Sequence, residues 1–591
     1  MMLSRPLCIA TVVRQRVRST TQVIVPLVVP LIVVFGIPAL TGCGGSSLSV
    51  SGQDNKQDKQ HGEQQGQQHS EQRVQGQADA PGVRGSDDGV TGAAGASPTA
   101  DSVASDAFAE RAEARQDAAV EPPGPRLGVV SYFAWVYKNP SRKGQPIGFL
   151  RPGTTVALKT AEPTSGADCP SKRWMQIEPP GYVCDDGAVT TDVDSALFRA
   201  LQDAVTAGKG NDWQRYRFAY STGAPMYGRF PTTQERQREV AAFGSTVGQA
   251  AEQASGKRRF TTSYEELATS EAVTATDAVP SYALPELPRL RGYDAGLIRK
   301  RIPAGSLLSF SKAVEHNGNV FLLSPDLTWV PADRVKPFAT SSFRGVALGQ
   351  GIALPLAWTR REPRTKYREA ASGVGAERAF EPTDASWPAR TAVPLTGMTR
   401  QVGRQLYWET REPGMWVREQ DVSIVKEKTE LPASIGADQK WIEVSTGRGT
   451  LTLYVGHKAV FSTLASPGRG GGAGRAGMSI DELVQASQTP LGTYRVTYKV
   501  DSSIMTPEGT PFPKKHWIQD VPYALYFMRP FAIHGAYWHE DFGMPKSGGC
   551  INLSPADAKH VFDWAEPSLP KDWAGVASGT MGLGTPVVIR R

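Results

Sequence analysis

The sequence predicts a mainly β, modular chain, and three observations carry that expectation. Short alternating apolar runs with turn punctuation recur from residue 126 to the C-terminus. A loose pattern, an aromatic strand followed by Tyr-Val or Trp-Val, appears three times along the chain. One interval, 193–287, instead shows charged and apolar residues at helical spacing. At 591 residues, several domains are expected.

The N-terminal segment 1–42 has Arg5, Arg14, Arg16 and Arg18, no acidic residue, and an apolar run from Val23 to Leu40. A charged start, an apolar middle and small residues at the end describe a secretory signal. A transmembrane anchor is the alternative; Pro26, Pro30 and Pro38 weaken it, because each removes a backbone donor from a spanning helix. Leu40-Thr41-Gly42-Cys43 resembles the bacterial lipobox. That resemblance implies cleavage before Cys43, lipidation of its sulfur and, with Gly44 following, an anchor in outer-membrane lipid and a periplasmic location.

From Cys43 to Pro125 the chain is rich in Gln, Gly, Ser, Asp and Ala. Such a segment buries too little apolar surface to offset chain entropy and is expected to be a disordered tether. As a flexible coil its ends would sit about 50 Å apart. With +4 before Cys43 and −7 across 44–125, the whole-chain +7 leaves +10 for residues 126–591. A basic folded body favours anionic polymers. A carboxylate-bearing cell wall qualifies; no nucleic-acid motif is present, and export argues against that partner.

In 126–192 the runs Val129-Val130-Ser131-Tyr132, Trp135-Val136-Tyr137, Gly148-Phe149-Leu150, Thr155-Val156-Ala157-Leu158 and Trp174-Met175-Gln176-Ile177 read as strands. The ending Trp174…Gly181-Tyr182-Val183 recurs as Phe321…Thr328-Trp329-Val330 within 288–340. It recurs again as Leu406-Tyr407-Trp408…Trp416-Val417 within 341–438, a linker and third module. The three resemble bacterial SH3 domains, small β-barrels; a generic β-rich spacer is the other reading. In the insert 193–287, Val193–Thr206 and Thr232–Ala242 read as helices, and Val247–Val279 is Ala/Thr/Glu-rich.

The cysteines separate by role. Cys8 falls in the signal, and Cys169 and Cys184 fit a local disulfide in an oxidising compartment, a metal pair being the alternative. Cys550 is left over, and an exported protein usually excludes such a thiol unless it is used. It lies in Ser547-Gly548-Gly549-Cys550-Ile551-Asn552, 16 residues after the His of Ile533-His534-Gly535. A histidine can take the thiol proton, and backbone N–H groups of a tight turn can face the oxyanion that forms.

From 439 to 591 the order of elements is Trp441-Ile442-Glu443-Val444, Thr489-Pro490-Leu491-Gly492-Thr493-Tyr494, Ile533-His534-Gly535, Ser547-Gly548-Gly549-Cys550-Ile551-Asn552-Leu553 and Gly584-Thr585-Pro586-Val587-Val588-Ile589. Together these resemble the L,D-transpeptidase catalytic domain family. The resemblance implies a mainly β fold acting on peptidoglycan stem peptides with no metal or organic cofactor. It implies Cys550 as nucleophile and His534 as base, with the Gly535 carbonyl orienting the imidazole. It also implies Asn552 as a polar neighbour in the nucleophile loop with Ser547, Gly548 and Gly549. The N–H groups of Gly549 and Cys550 would then form the oxyanion hole, joined by Tyr523 or Tyr526. The implied acceptor is a stem amine, a lysine of a lipoprotein or wall protein, or water.

One position departs from the family pattern Ser-His-Gly-Cys: residue 548 is Gly. Glycine adds backbone entropy and no hydrogen bond there, so His539 or His516 is the candidate substitute. Two other readings stand beside the transferase: a retired wall-binding lipoprotein, and a thiol hydrolase removing D-alanine. A metallopeptidase is disfavoured, since His516, His534, His539 and His560 show no zinc-helix spacing.

Overall fold

The computed structural model describes residues 124–591, apart from Tyr132, 207–212, Arg215, 244–296, 326–327, Gln350, 371–378, 471–477, 506–516 and 580–581. The signal 1–42, Cys43, the tether up to residue 123, Val247–Val279 and His516 lie outside the described residues. Among the described residues no helix is long and apolar enough to cross a membrane.

The chain is mainly β, as the alternation predicts. The first module spans strands from Arg126–Val129 to Val189–Thr190. Its core holds Val129, Val136, Leu150, Ile177 and Val183, the inward positions of the alternating runs. Cys169 and Cys184 are disulfide-bonded beside the fully buried Trp174.

The insert contains the helices Ala196–Thr206 and Thr233–Phe243. It also contains two strands that sequence periodicity assigned to no module. Arg217–Ser221 pairs with Leu307–Phe310 and Val335–Phe338, and Ala224–Tyr227 pairs with Ile298–Ile302. The apolar run Phe218-Ala219-Tyr220 folds back through Gly223, whose φ of +102° suits glycine. The second module thus combines two strands of the insert with strands that follow it, from Ile298 to Phe338. The third is a seven-stranded sheet between Leu356–Thr359 and Val422–Val425.

No sheet among the described residues closes into a barrel. In the first module the reason is visible in the pairing. Its strand Gly148–Leu150 turns outward to pair with Gly575–Ala577 near the C-terminus, Phe149 opposite Gly575. A Cβ on Gly575 would lie 2.3 Å from the Phe149 ring, so glycine is what lets the ring lie across that strand. Trp573 completes the first module's core. The second module joins the same sheet where Leu307 pairs with Ile518.

The C-terminal region holds a six-stranded sheet, in which Lys440–Ser445 lies between Thr450–Val455 and Pro586–Arg590. A second layer contains Tyr498–Met505, Ile518–Met528, Phe531–Gly535 and Ile551–Leu553. Ile442, Leu451, Leu525, Ile533, Ile551 and Val561 form the core between them. The helix Pro555–Trp564 starts where sequence rules place it. Ser554 is the N-cap, its side chain accepting the Asp557 N–H, and proline occupies the first turn. Its far end is capped by the buried Lys499, whose Nζ donates to the carbonyls of Phe562 (2.5 Å) and Ala565 (2.7 Å). Burial lowers that ammonium's pKa to about 8.

Candidate active site

His534 sits near the end of Phe531–Gly535, and Cys550 immediately precedes Ile551–Leu553. These two strands pair in parallel, Ile533 beside Ile551 and His534 beside Asn552. Ile533, Ile551 and Leu553 are core residues. Strand alternation therefore turns His534 and Asn552 to the opposite face, and Cys550 lies in the bend two residues before Asn552.

His534 Nδ1 lies 3.1 Å from the Gly535 carbonyl oxygen. A carbonyl only accepts, so Nδ1 carries the hydrogen and Nε2 keeps its lone pair. Burial lowers the His534 pKa to about 4, so the ring is neutral near pH 7. Gly535 has no room for a side chain: a Cβ would meet Pro522 Cγ at 2.9 Å.

The loop before Cys550 is laced by small polar residues. Ser547 Oγ donates to the Cys550 carbonyl at 2.5 Å and accepts the Gly549 N–H at 3.0 Å. Thr489 Oγ1 donates to the Gly549 carbonyl and accepts the Gly468 N–H, both at 2.9 Å. Ser466 exchanges backbone hydrogen bonds with Asn552 at 2.8 and 2.9 Å. The Gly549 N–H, expected as an oxyanion donor, is thus already committed to Ser547 Oγ. The acceptor is the side-chain oxygen two residues back.

Of the two tyrosines considered, Tyr526 belongs to this face. Burial above all raises its pKa, with Cys550 adding to the rise, and its hydroxyl bonds Ser503 Oγ at 2.9 Å. Tyr523 instead packs its ring against Phe562 at 5.6 Å.

His539 does reach the site, though not through the loop residue 548. Its Nε2 lies 3.0 Å from the Asn552 side-chain amide, and its Nδ1 accepts the Asp541 N–H at 3.2 Å. The Asn552 atom at that contact is Nδ2, and its Oδ1 is buried without a hydrogen-bond partner among the described residues. Gly548 faces open space, with nothing within 4 Å of a Cβ built there.

Contacts that no local pattern signalled hold the segment between His534 and Cys550 from outside. Tyr537 stacks on Phe218 of the second module at 3.6 Å and donates to the Gln519 carbonyl at 2.5 Å. Phe542 stacks on Phe343 at 5.7 Å. Glu540 accepts from Ser341 at 2.9 Å and pairs with Arg390 at 3.3 Å. No cluster of three or more potential metal ligands occurs among the described residues.

A mainly β domain thus sets a neutral histidine on one strand and a cysteine immediately before the parallel strand beside it. The family model of YkuD, the L,D-transpeptidase catalytic domain, matches residues 439–589. Among solved structures, the chain is similar to an L,D-transpeptidase from Xylanimonas cellulosilytica DSM 15894. The identity is 20%, over 27% of this chain and 64% of that one, with a TM-score of 0.18. The chain thus spans under two thirds of that structure. An L,D-transpeptidase from Mycobacterium smegmatis is similar at 16% identity over 46% and 91%, TM-score 0.19. L,D-transpeptidase 3 from Mycobacterium tuberculosis is similar at 18% over 38% and 79%, TM-score 0.19. No curated protein matches.

Proposed function

We propose that this chain is a peptidoglycan L,D-transpeptidase with Cys550 as nucleophile. The observation that carries the reading is the parallel pairing that sets His534 beside Asn552, two residues after Cys550, with His534 neutral and its Nδ1 hydrogen held by the Gly535 carbonyl. Nε2 of His534 takes the thiol proton. The Cys550 thiolate then attacks the carbonyl carbon of the third, diamino-acid residue of a donor stem. The tetrahedral intermediate collapses, the C–N bond to the terminal D-alanine breaks, and His534 returns the proton to the leaving amine. An acceptor amine attacks the thioester, surrenders a proton through the same ring and restores the thiol.

Cys43 would carry the lipid that holds the protein at the outer membrane, facing the wall across the tether. The three β modules, read as SH3-like, would serve the same wall polymer. The acceptor is an amine of a neighbouring stem or of an envelope protein.

The test is intact-mass spectrometry of the full chain after exposure to a carbapenem, beside Cys550→Ala. An adduct on the parent that the variant lacks is the expected result. A folded protein with no adduct would sink the reading and favour the retired wall-binding lipoprotein.

Gly548 and His539 make a paired prediction. Because a Cβ at 548 meets open space, Gly548→His is expected to fold with unchanged melting temperature and to acylate about tenfold faster, 1.4 kcal/mol off the barrier. His539→Ala is expected to slow acylation about fivefold in the parent and less in the Gly548→His background, a double-mutant cycle measuring their coupling. Strictly additive effects would show that the two positions do not support one loop.

A further inference from the structure

The turn at Arg529-Pro530 connects Ile518–Met528 to Phe531–Gly535 and carries a guanidinium that the reaction above does not use. Its Cζ lies 5.1 Å from the Tyr498 ring centroid and 5.5 Å from that of Tyr526. Those two tyrosines are directly opposed across antiparallel strands, and Tyr526 is opposed in turn to Ala532, two residues before His534. Opposed residues share a face, so both rings stand on the side that carries His534 and Asn552. The Pro530 carbonyl, one residue from Arg529, lies 3.9 Å from Cys550 Sγ.

The charge on this platform is unbalanced. Arg151, the other arginine nearby, is occupied: its Nε lies 3.6 Å from Asp501 and its Nη2 donates to the Ser502 carbonyl at 2.6 Å. Arg529 has no carboxylate within 4 Å among the described residues. Burial above all raises the Tyr526 phenol's pKa; Cys550 adds to this and Arg529 opposes it, so both charges are felt at one hydroxyl. A guanidinium fixed on two aromatic faces keeps its N–H edge available for a planar anion.

We propose that Arg529 is a specificity-determining residue that receives a carboxylate of the donor peptide beside Cys550. The inference rests on the transpeptidase reading and adds the ligand chemistry: a peptide with a free carboxylate adjoining the carbonyl under attack. Two groups of such a peptide qualify, the side-chain carboxylate of the diamino acid and the C-terminal carboxylate of the leaving residue. Either would form the paired N–H to oxygen contacts that arginine favours.

The experiment compares alkylation of Cys550 in the full chain by iodoacetate and by iodoacetamide, in the parent, Arg529→Gln and Arg529→Lys. In each reaction an S–C bond forms and iodide leaves. Both reagents draw on the same thiolate population, so the ratio of rates cancels any change in the thiol's own ionisation and reads only attraction for the anion. The ratio is expected to fall about fivefold in Arg529→Gln and to stay near the parent value in Arg529→Lys. An unchanged ratio in Arg529→Gln overturns the proposal. A folded parent whose Cys550 reacts with neither reagent overturns the transpeptidase reading itself, and this inference with it.

Donor peptides amidated at one carboxylate or the other then name the source. Arg529→Gln is expected to raise KM for the free peptide with kcat nearly unchanged, and to have no effect on the peptide lacking the recognised carboxylate. Equal loss on all three peptides would also overturn the proposal.

Discussion

His534→Gln is expected to slow acylation of Cys550 by about 10²- to 10⁴-fold, the range for removing a positioned general base. The fold should survive. Glutamine fits a buried slot of this size, and its amide can still donate to the Gly535 carbonyl that holds Nδ1 in the parent. What it cannot do is accept the thiol proton. The pH dependence gives a second readout. Burial holds the His534 pKa at about 4, against about 6.5 in an unfolded chain. The base form therefore persists well below neutrality, and the acid limb of acylation should lie nearer pH 4 than pH 6.5.

Stability carries the same sign. Between those two pH values the unfolded chain binds more protons than the folded one, so stability rises with pH across the window. It falls by up to ~3 kcal/mol on acidification through it. Melting temperatures measured at pH 4.5 and pH 7 should differ more in the parent than in His534→Gln. A variant that acylates at the parental rate, or a parent whose acid limb sits at pH 6.5, would remove His534 from the role assigned to it.

The parts of this architecture that were legible in the sequence are those written in adjacent residues. The Ile533-His534-Gly535 run and the Ser547–Asn552 turn, on which the proposed chemistry rests, are each contiguous in the chain. Ser554 and Pro555 adjoin at the head of a helix, and Cys169 and Cys184 are 15 residues apart. What was not legible depends on pairings that no window spans. Phe149 meets Gly575 across most of the chain, and Arg217, inside the insert, meets Phe310 beyond its end. Whether a module closes into a barrel or extends a neighbour's sheet is decided by such contacts, since the inward residues alternate identically in both cases.

The same limit applied inside the site. Ser547 was recognisable as part of the loop, but only its rotamer decides that its oxygen takes the Gly549 N–H. His539 was one of two candidate histidines, and only the path of residues 536–546 brings it to Asn552. Arg529 had no motif at all; it is a turn residue whose neighbours become informative once the rings beneath it are placed.

Two adjacent glycines provide the sharpest test of the nucleophile loop, because one substitution should have opposite consequences at the two positions. At Gly549, φ is +131°, a conformation that side chains rarely adopt, and a Cβ would lie 2.4 Å from Phe531 Cε1 and 2.8 Å from the Gln488 carbonyl. Backbone strain of roughly 1–3 kcal/mol and overpacking of similar size, about 1–3 kcal/mol, would both act there. The loop has little slack to relieve them, since Thr489 fixes the Gly549 carbonyl and Ser547 fixes its N–H. Gly549→Ala should therefore move Cys550, and a displacement of about 1 Å costs on the order of 100-fold in a reaction that depends on alignment. Gly548→Ala adds the same methyl group into open space, outside the left-handed region, and should leave both melting temperature and acylation near the parent values. Acylation rates and melting temperatures of the two variants, measured side by side, decide the matter. A Gly549→Ala protein that acylates like the parent would mean that the loop adapts, and that the position of Cys550 is set by the strand Ile551–Leu553 alone.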